Sequence, residues 1–340
     1  MPVTGGNQLD FAIRDKTWET KEDFDIGADM AFFGNRLSLS ADYFRKTTRD
    51  ILLNLPIPLN TGLVSTSQNA GMMYNQGWEA QLGWNDKIGK DWSYSVSVNL
   101  SDYTNKIQDL KGTSTLGDQA ILEGQPYNVW YGYESIGYFN NADDVLNSAK
   151  LTGSEKAGDI KYRDIDGDGK ISADKDRVVL GNSLPRYLYG GNASVKYKNI
   201  DFGFSFQGVG KQTGKQGGYM VQPFNSNFGN VADYIPGNYW TPENPNAKYP
   251  RLSYANQNVN FANSDFYLFN SRYFRLKDVS LGYSFNPGLL NHIGVKHARI
   301  FISATDLFSV SDFPKGWDPE GNQGESPILT TYYGGLSITF

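Results

Sequence analysis

Residues 187–210 read YLYGGNASVKYKNIDFGFSFQGVG, and the alternation inside this stretch sets the fold class. Tyr187, Tyr189, Ala193, Val195 and Tyr197 share one face of an extended chain, while Asn192, Ser194 and Lys196 share the other. After a polar turn at Lys198 and Asn199, Phe202, Phe204 and Phe206 fall opposite Gly203, Ser205 and Gln207. Successive strand side chains point to opposite sides, so the stretch predicts a β-hairpin with one greasy and one wet surface. A soluble sandwich buries the greasy surface in a core. A transmembrane barrel turns it to lipid and lines a lumen with the wet one. The hairpin by itself fits both.

Composition narrows this choice. The chain has 340 residues, with 22 Tyr, 20 Phe and 7 Trp, yet its hydrophobic fraction is only 39%. Such a mixture suits a barrel, whose lipid-facing residues are diluted by lumen and loop residues, and no apolar run has the length of a membrane helix. The absence of cysteine excludes disulfides, thiolate chemistry and Cys-ligated zinc. With 31 Lys+Arg against 36 Asp+Glu and no basic cluster, the footprint of a nucleic-acid binder is missing. Met1 to Gly6 contains neither a basic segment nor an apolar core, so an exported protein would here be read without its export signal.

The same dyad pattern recurs along the chain. Phe24, Ile26, Ala28, Met30 and Phe32 alternate with Asp25, Gly27, Asp29 and Ala31 before a turn at Gly34 and Asn35. The returning strand carries Leu37, Leu39, Ala41 and Tyr43, and residues 48–75 read as a long irregular segment. Trp78, Ala80, Leu82 and Trp84 pair by pattern with Trp92, Tyr94, Val96, Val98 and Leu100; aromatics at the strand ends and aliphatics between them are what an interfacial girdle requires. Residues 102–186 and 214–270 form two long interruptions, and the aromatic patch at residues 129–138 is placed inside the first. Val279, Leu281, Tyr283 and Phe285 mark the next strand. Ile300, Ile302 and Ala304 follow, with the facing of Phe301 ambiguous, and residues 330–340 form the last strand. Connections alternate short and long, as they do in bacterial outer-membrane barrels with short periplasmic turns and long external loops. The expected fold is therefore all-β: an antiparallel transmembrane β-barrel segment of about nine strands over residues 1–340, with long extracellular loops.

One motif carries metal chemistry. Asp164, Asp166 and Asp168, followed by Gly169, reproduce the first half of a calcium loop in which alternate carboxylates converge on a hard cation. The carbonyl of Lys170 can add an oxygen. Position twelve, usually a bidentate Glu, is Lys175, so Asp174 or Asp176 would have to close the site. The competing reading is an acidic turn without an ion. Aromatics on the long segments (Trp130, Tyr131, Tyr133, Tyr219, Phe224, Phe228, Tyr234, Tyr239 and Trp240) are candidates for ring stacking or a partner, against packing within the loops themselves. Lumen-side Asp25, Asp29, Asp42 and Glu79 suit any polar barrel interior. His292 and His297 lack a nucleophile or carboxylate pattern, and no Gly-rich phosphate loop is present, so no enzyme is expected and catalytic residues are none.

Three ordered passages resemble the SusC/RagA-like TonB-dependent transporters of Bacteroidota outer membranes. They are Gly158 to Gly169 with Val179-Leu180-Gly181-Asn182, Pro185 and Tyr189-Gly190; Trp240 to Pro245 with Tyr249-Pro250-Arg251; and Arg272 to Tyr283 with Asp306-Leu307-Phe308 and Asp318-Pro319-Glu320. The closing run Gly335 to Phe340, with Leu336 and Ile338 at period two, is similar to the terminal strand by which outer-membrane barrels are recognised for insertion. The resemblance implies an outer-membrane importer of oligosaccharides or peptides, a SusD-like surface lipoprotein as lid, and a TonB system acting through a plug. It also implies a barrel of about 22 strands, of which this chain would be the C-terminal part, meeting the remaining strands, the plug and membrane lipid. Two alternatives remain open: a structural or degenerate barrel piece in a larger assembly, and a soluble glycan-binding β-sandwich.

Overall fold

A computed structural model describes residues 16–56, 65–218, 221–224, 230–254, 257–290, 294–314, 316–321 and 328–340. Of the residues singled out above, Tyr219, Phe228, His292 and Met1 to Gly6 lie outside them. One nine-stranded sheet organises the molecule: β1 Thr20–Phe32, β2 Leu37–Pro56, β3 Ser65–Ile88, β4 Trp92–Asp109, β5 Arg186–Tyr197, β6 Ile200–Lys211, β7 Tyr273–Ser284, β8 His297–Ser311 and β9 Thr331–Thr339. Every neighbour in the sheet is the next of these strands in sequence, all pairs are antiparallel, and β1 and β9 are its two edges. The sheet does not close on itself.

Register carries the dyad pattern from strand to strand. Met30 pairs with Leu39, Leu39 with Leu82, Leu82 with Val98, and Val98 with Gly191. Further along, Ala193 pairs with Phe204, Phe204 with Val279, Val279 with Ala304, and Ala304 with Tyr332. Because directly opposite residues share a face, these apolar positions make one continuous greasy surface. It is uncovered: Ile26, Leu82, Val96, Ile302 and Leu336 are all exposed. A sandwich requires a second sheet against this surface, and among the described residues the remaining sheets have only two or three strands each, so the sandwich alternative falls.

Aromatic rings collect at the two margins of the greasy band. At the end with tight turns, the rings of Trp92 and Tyr197 lie 4.3 Å apart, Phe33 lies beside Trp84, and Tyr283 meets Phe285 edge-on. At the other end Tyr43 pairs with Trp78, and Phe206 stacks on Phe274. The turn between β5 and β6 has two residues, Lys198 and Asn199, and Lys198 takes a left-handed φ of 52° to close it.

Two boundaries differ from the reading of the sequence, and one facing that it left open is decided. The described part of residues 48–75 is strand, since β2 and β3 stay paired from Leu37 with Trp84 up to Pro56 with Ser65, through register shifts near Ile51. Their dyad signal fades because apolar residues there follow one another, as in Ile51-Leu52-Leu53 and Met72-Met73, instead of alternating, whereas backbone pairing needs no such pattern. For the same reason β4 runs on past Ser101 to Asp109, so the first long interruption begins about eight residues late. Phe301 belongs to the wet face: it pairs with Gly282 and Gly335, and its ring covers Gly335, where an added Cβ would sit 2.5 Å from it. The aromatic patch at residues 129–138 stays outside the large sheet, as its placement in a loop required. Val129–Tyr133 pairs with Gln119–Ala120 and Arg177–Asn182, and Ser135–Tyr138 pairs with Ile160–Tyr162.

Candidate functional site

The two long connections, between β4 and β5 and between β6 and β7, fold into a single compact module at one end of the wall. Tyr133, Ile160, Tyr162 and Ile171 from the first meet Val259 from the second in a buried core, with Tyr138, Ala262 and Phe266 packed around it. Polar pegs lock the two together. Asp159 is fully buried; its Oδ1 accepts from Arg251 Nε at 2.6 Å and from Asn260 Nδ2 at 2.9 Å, and its Oδ2 accepts from Arg251 Nη2 at 3.2 Å and from the Lys156 N–H at 2.8 Å. A buried carboxylate is tolerated only when paired and hydrogen-bonded in this way. The Tyr162 hydroxyl donates to the Val259 carbonyl at 2.6 Å, and Asp265 Oδ1 accepts from the Ser135 N–H at 2.7 Å. Trp240 lies against Gly158, whose φ is 87° and where a Cβ would be 2.2 Å from the indole. Only glycine fits there.

Most of the candidate aromatics are used by the module itself. Tyr133 packs on Tyr162 at 5.3 Å, Phe224 stacks on Tyr254 at 4.3 Å, Tyr131 receives the Arg177 guanidinium, and Tyr234 lies beside Tyr249. Tyr239 forms a bridge with Tyr249, whose hydroxyl is pushed up to about 12 by burial. Trp130 Nε1 donates to the Thr213 carbonyl at 2.6 Å, joining the module to the strand Thr213–Lys215. Burial pushes the Asp118 carboxyl up, but hydrogen bonds from Lys215 and Asn263 outweigh it and leave the group below the usual carboxylate range.

The acidic loop is brought together in part. Asp164, Asp166 and Asp168 each offer a carboxylate oxygen, and these atoms lie within 4.8 Å of one another. The loop is wound by its own acceptors: Asp164 Oδ1 and Oδ2 take the Gly167 and Gly169 N–H groups at 2.8 and 2.9 Å, and Asp168 Oδ1 takes that of Lys170 at 3.0 Å. Asp174 and Asp176 stand outside the cluster. Asp176 is buried and acts as a peg, accepting from Ile165 N at 2.8 Å and from Ser172 N and Oγ at 2.7 and 3.2 Å. Burial opposes its charge, but these donors outweigh burial and hold its carboxyl below the usual range. Lys175, at position twelve, places Nζ 2.8 Å from Asp166 Oδ2 and 2.9 Å from Asp168 Oδ2, which lowers the Asp168 carboxyl and raises the ammonium. An all-oxygen set of three carboxylates fits a hard cation such as calcium; Lys175 competes for the same charge.

The wet face of the wall carries Asp42 beside Gly27 and Glu79, Gln81 donating to Ser97 Oγ at 3.3 Å, and Ser95 sharing a hydrogen bond with Ser194. Asp201 holds Arg299 across it, with Nε at 2.9 Å. His297 is an exposed residue at the start of β8, opposite Thr339. Sequence reasoning passed over Arg275, which is 3% exposed on the wet face of β7 and surrounded by Asp306, Asp318 and Glu320. Its signal was an arginine at a strand position, which periodicity treats as any polar residue.

A family model described as TonB dependent receptor-like, beta-barrel matches residues 3–307. TonB-dependent receptor P3 of Formosa agariphila is 32% identical over 99% of this chain and 36% of that protein. TonB-dependent receptor SusC of Bacteroides thetaiotaomicron is 26% identical over 95% of this chain and 32% of that protein. The solved RagAB peptide transporter shares the fold, with a TM-score of 0.78 at 24% identity over 97% of this chain and 36% of that one. The resemblance to SusC/RagA-like transporters read from the sequence is thus borne out, and the chain spans about a third of the length of the curated relatives it matches. Members of the family are outer-membrane transporters and not enzymes. The continuous two-faced sheet, its aromatic margins and these matches together establish that the chain belongs to the TonB-dependent receptor-like β-barrel family.

Proposed function

We propose that the chain forms the C-terminal wall of a TonB-dependent importer for oligosaccharides or peptides, and that its loop module faces the cell exterior beneath a SusD-like surface lipoprotein. The observation that carries this reading is the open sheet: one face greasy across nine strands, the other polar, with two unpaired edges. Unpaired backbone groups in hydrocarbon are costly, so β1 and β9 require further strands to close the wall around a lumen. Energy would reach the cargo through the TonB system and that plug. The two long connections, residues 102–186 with the acidic loop and residues 214–270, belong to the exterior side in this reading, where a weakly bound divalent ion would brace Asp164, Asp166, Asp168 and the Lys170 carbonyl. The peptide class is supported by the RagAB peptide transporter, which shares the fold; the oligosaccharide class rests on the resemblance read from the sequence.

Deleting the gene for the full transporter and measuring growth on single oligosaccharides and on peptides tests the reading, together with affinity purification of the transporter from membranes. Loss of growth on one cargo class, with a surface lipoprotein copurifying, is the expected result. Normal growth on both classes, with no lipoprotein recovered, would overturn it in favour of a purely structural barrel piece.

A further inference from the structure

Between β8 and β9 the chain folds back onto the wet face of the wall, and one side chain accounts for its position. Arg275 projects from β7 on that face, paired in register with Gln207 and Ser309. Its Nη2 donates to Asp318 Oδ1 at 2.6 Å and to Oδ2 at 2.7 Å. Its Nε lies 3.2 Å from Glu320 Oε1, an ion contact off the line of a hydrogen bond, and its Nη1 is 3.7 Å from Asp306 Oδ1. Lys277 Nζ takes the same Asp306 oxygen at 2.7 Å, and Gln207 Nε2 donates to Glu320 at 3.0 Å. Three carboxylates therefore face two cations, and two of the three belong to the returning segment. That segment also reaches the module, where the Trp317 indole neighbours the Tyr234 hydroxyl.

We propose that Arg275 is a positioning residue that straps residues 316–321 to the inside of the passage, and that the docked strap narrows the outer mouth along this wall. The strap encloses a recess of about 500 Å³, with Pro319 and Glu320 on one side and Trp130, Gln212, Ser271 and Phe313 on the other. Pro319 is buried there although its neighbours lie in an external connection. The assembly suits a strap that moves as a unit. The two carboxylates on the loop meet cations on the wall, and the buried guanidinium spreads its three nitrogens, Nη2 over both oxygens of Asp318, Nε toward Glu320 and Nη1 toward Asp306. Once Asp318 and Glu320 are neutralised, Arg275 keeps Asp306 as a partner, so the wall stays intact while the strap loses its anchor. The claim goes beyond the importer reading, because the strap's position is measurable whether or not cargo moves.

The test uses the absence of native cysteine from this chain. Pro319→Cys is introduced into the full transporter in outer membranes, and its labelling rate with a membrane-impermeant maleimide is recorded. In the parent the thiol should label slowly. Adding Asp318→Asn with Glu320→Gln should raise the rate at least about tenfold, since breaking a buried pair frees the segment it holds, with heat-resistant electrophoretic mobility of the barrel unchanged. Arg275→Gln should do the same, and Arg275→Lys, which keeps the charge but cannot reach Asp318, Glu320 and Asp306 at once, should fall between parent and Arg275→Gln. Should Arg275→Gln fail to assemble, the two loop-side substitutions decide the matter, since Asp306 still faces both Arg275 and Lys277 in the wall. Slow labelling in the Asp318→Asn/Glu320→Gln protein, equal to the parent, would overturn the proposal, as would equal rates for Arg275→Lys and Arg275→Gln.

Discussion

At the residue scale, stability in this molecule is concentrated where long connections must be given one shape. Asp159 is the clearest case, because a carboxylate with no solvent exposure is stable only while Arg251 and Asn260 hold it. Arg251→Met should cost the module about 3–5 kcal/mol by leaving that charge uncompensated. Hydrogen exchange over residues 156–171 and 249–262 would report the loss, and adding Asp159→Asn should return part of it; a single variant exchanging at the parent rate would refute the assignment. The acidic loop depends on a different residue. Lys175 supplies in part the positive charge that a cation would bring to Asp166 and Asp168, so calcium should bind in the ~10⁻⁴–10⁻³ M range of extracellular modules. Lys175→Glu removes the competitor and restores the usual twelfth ligand, and calorimetric titration should show tighter binding. No heat of binding in either protein at millimolar calcium would leave the loop as an acidic turn. Spacing alone suggested the carboxylate cluster, whereas the peg role of Asp176 depends on where the backbone of Ile165 and Ser172 comes to lie.

At the scale of the strand, the two faces of one element should respond differently to the same charge. Val96 pairs with Trp84 and Ala193 on the greasy face, and its neighbour Ser97 pairs with Gly83 and Asn192 on the wet one. Val96→Arg should therefore destabilise the barrel by about 2–4 kcal/mol, while Ser97→Arg should cost far less, as measured by denaturant titration in lipid vesicles. Equal costs would mean a core on both faces. Strand identity was legible because the 2-residue period is imposed wherever one side meets lipid and the other a polar lumen. It was not legible in the upper halves of β2, β3 and β4. There apolar and polar residues no longer alternate, as in Ile51-Leu52-Leu53, and pairing continues on backbone hydrogen bonds alone.

For the whole molecule, the alternation of tight turns and long connections sets an orientation that can be checked from outside the cell. With no native cysteine, Ser172→Cys in the module should react with an impermeant thiol reagent added to intact cells, while Asn35→Cys, in the turn after β1, should react only after the outer membrane is permeabilised. Labelling at Asn35 in intact cells would invert the barrel. The amino-acid sequence by itself determined the number of strands in the large sheet, the facing of nearly every one of them and the presence of the carboxylate triplet, because each is written in local period or spacing. Tertiary structure alone decided the rest. Residues about a hundred apart, such as Asp159 with Asn260 and Tyr162 with Val259, fuse two loops into one module, and Arg275 draws Asp318 and Glu320 onto the wall. Such contacts have no period along the chain. They depend on which loop ends the sheet holds side by side, and that follows from strand order and register rather than from any stretch of residues read in isolation.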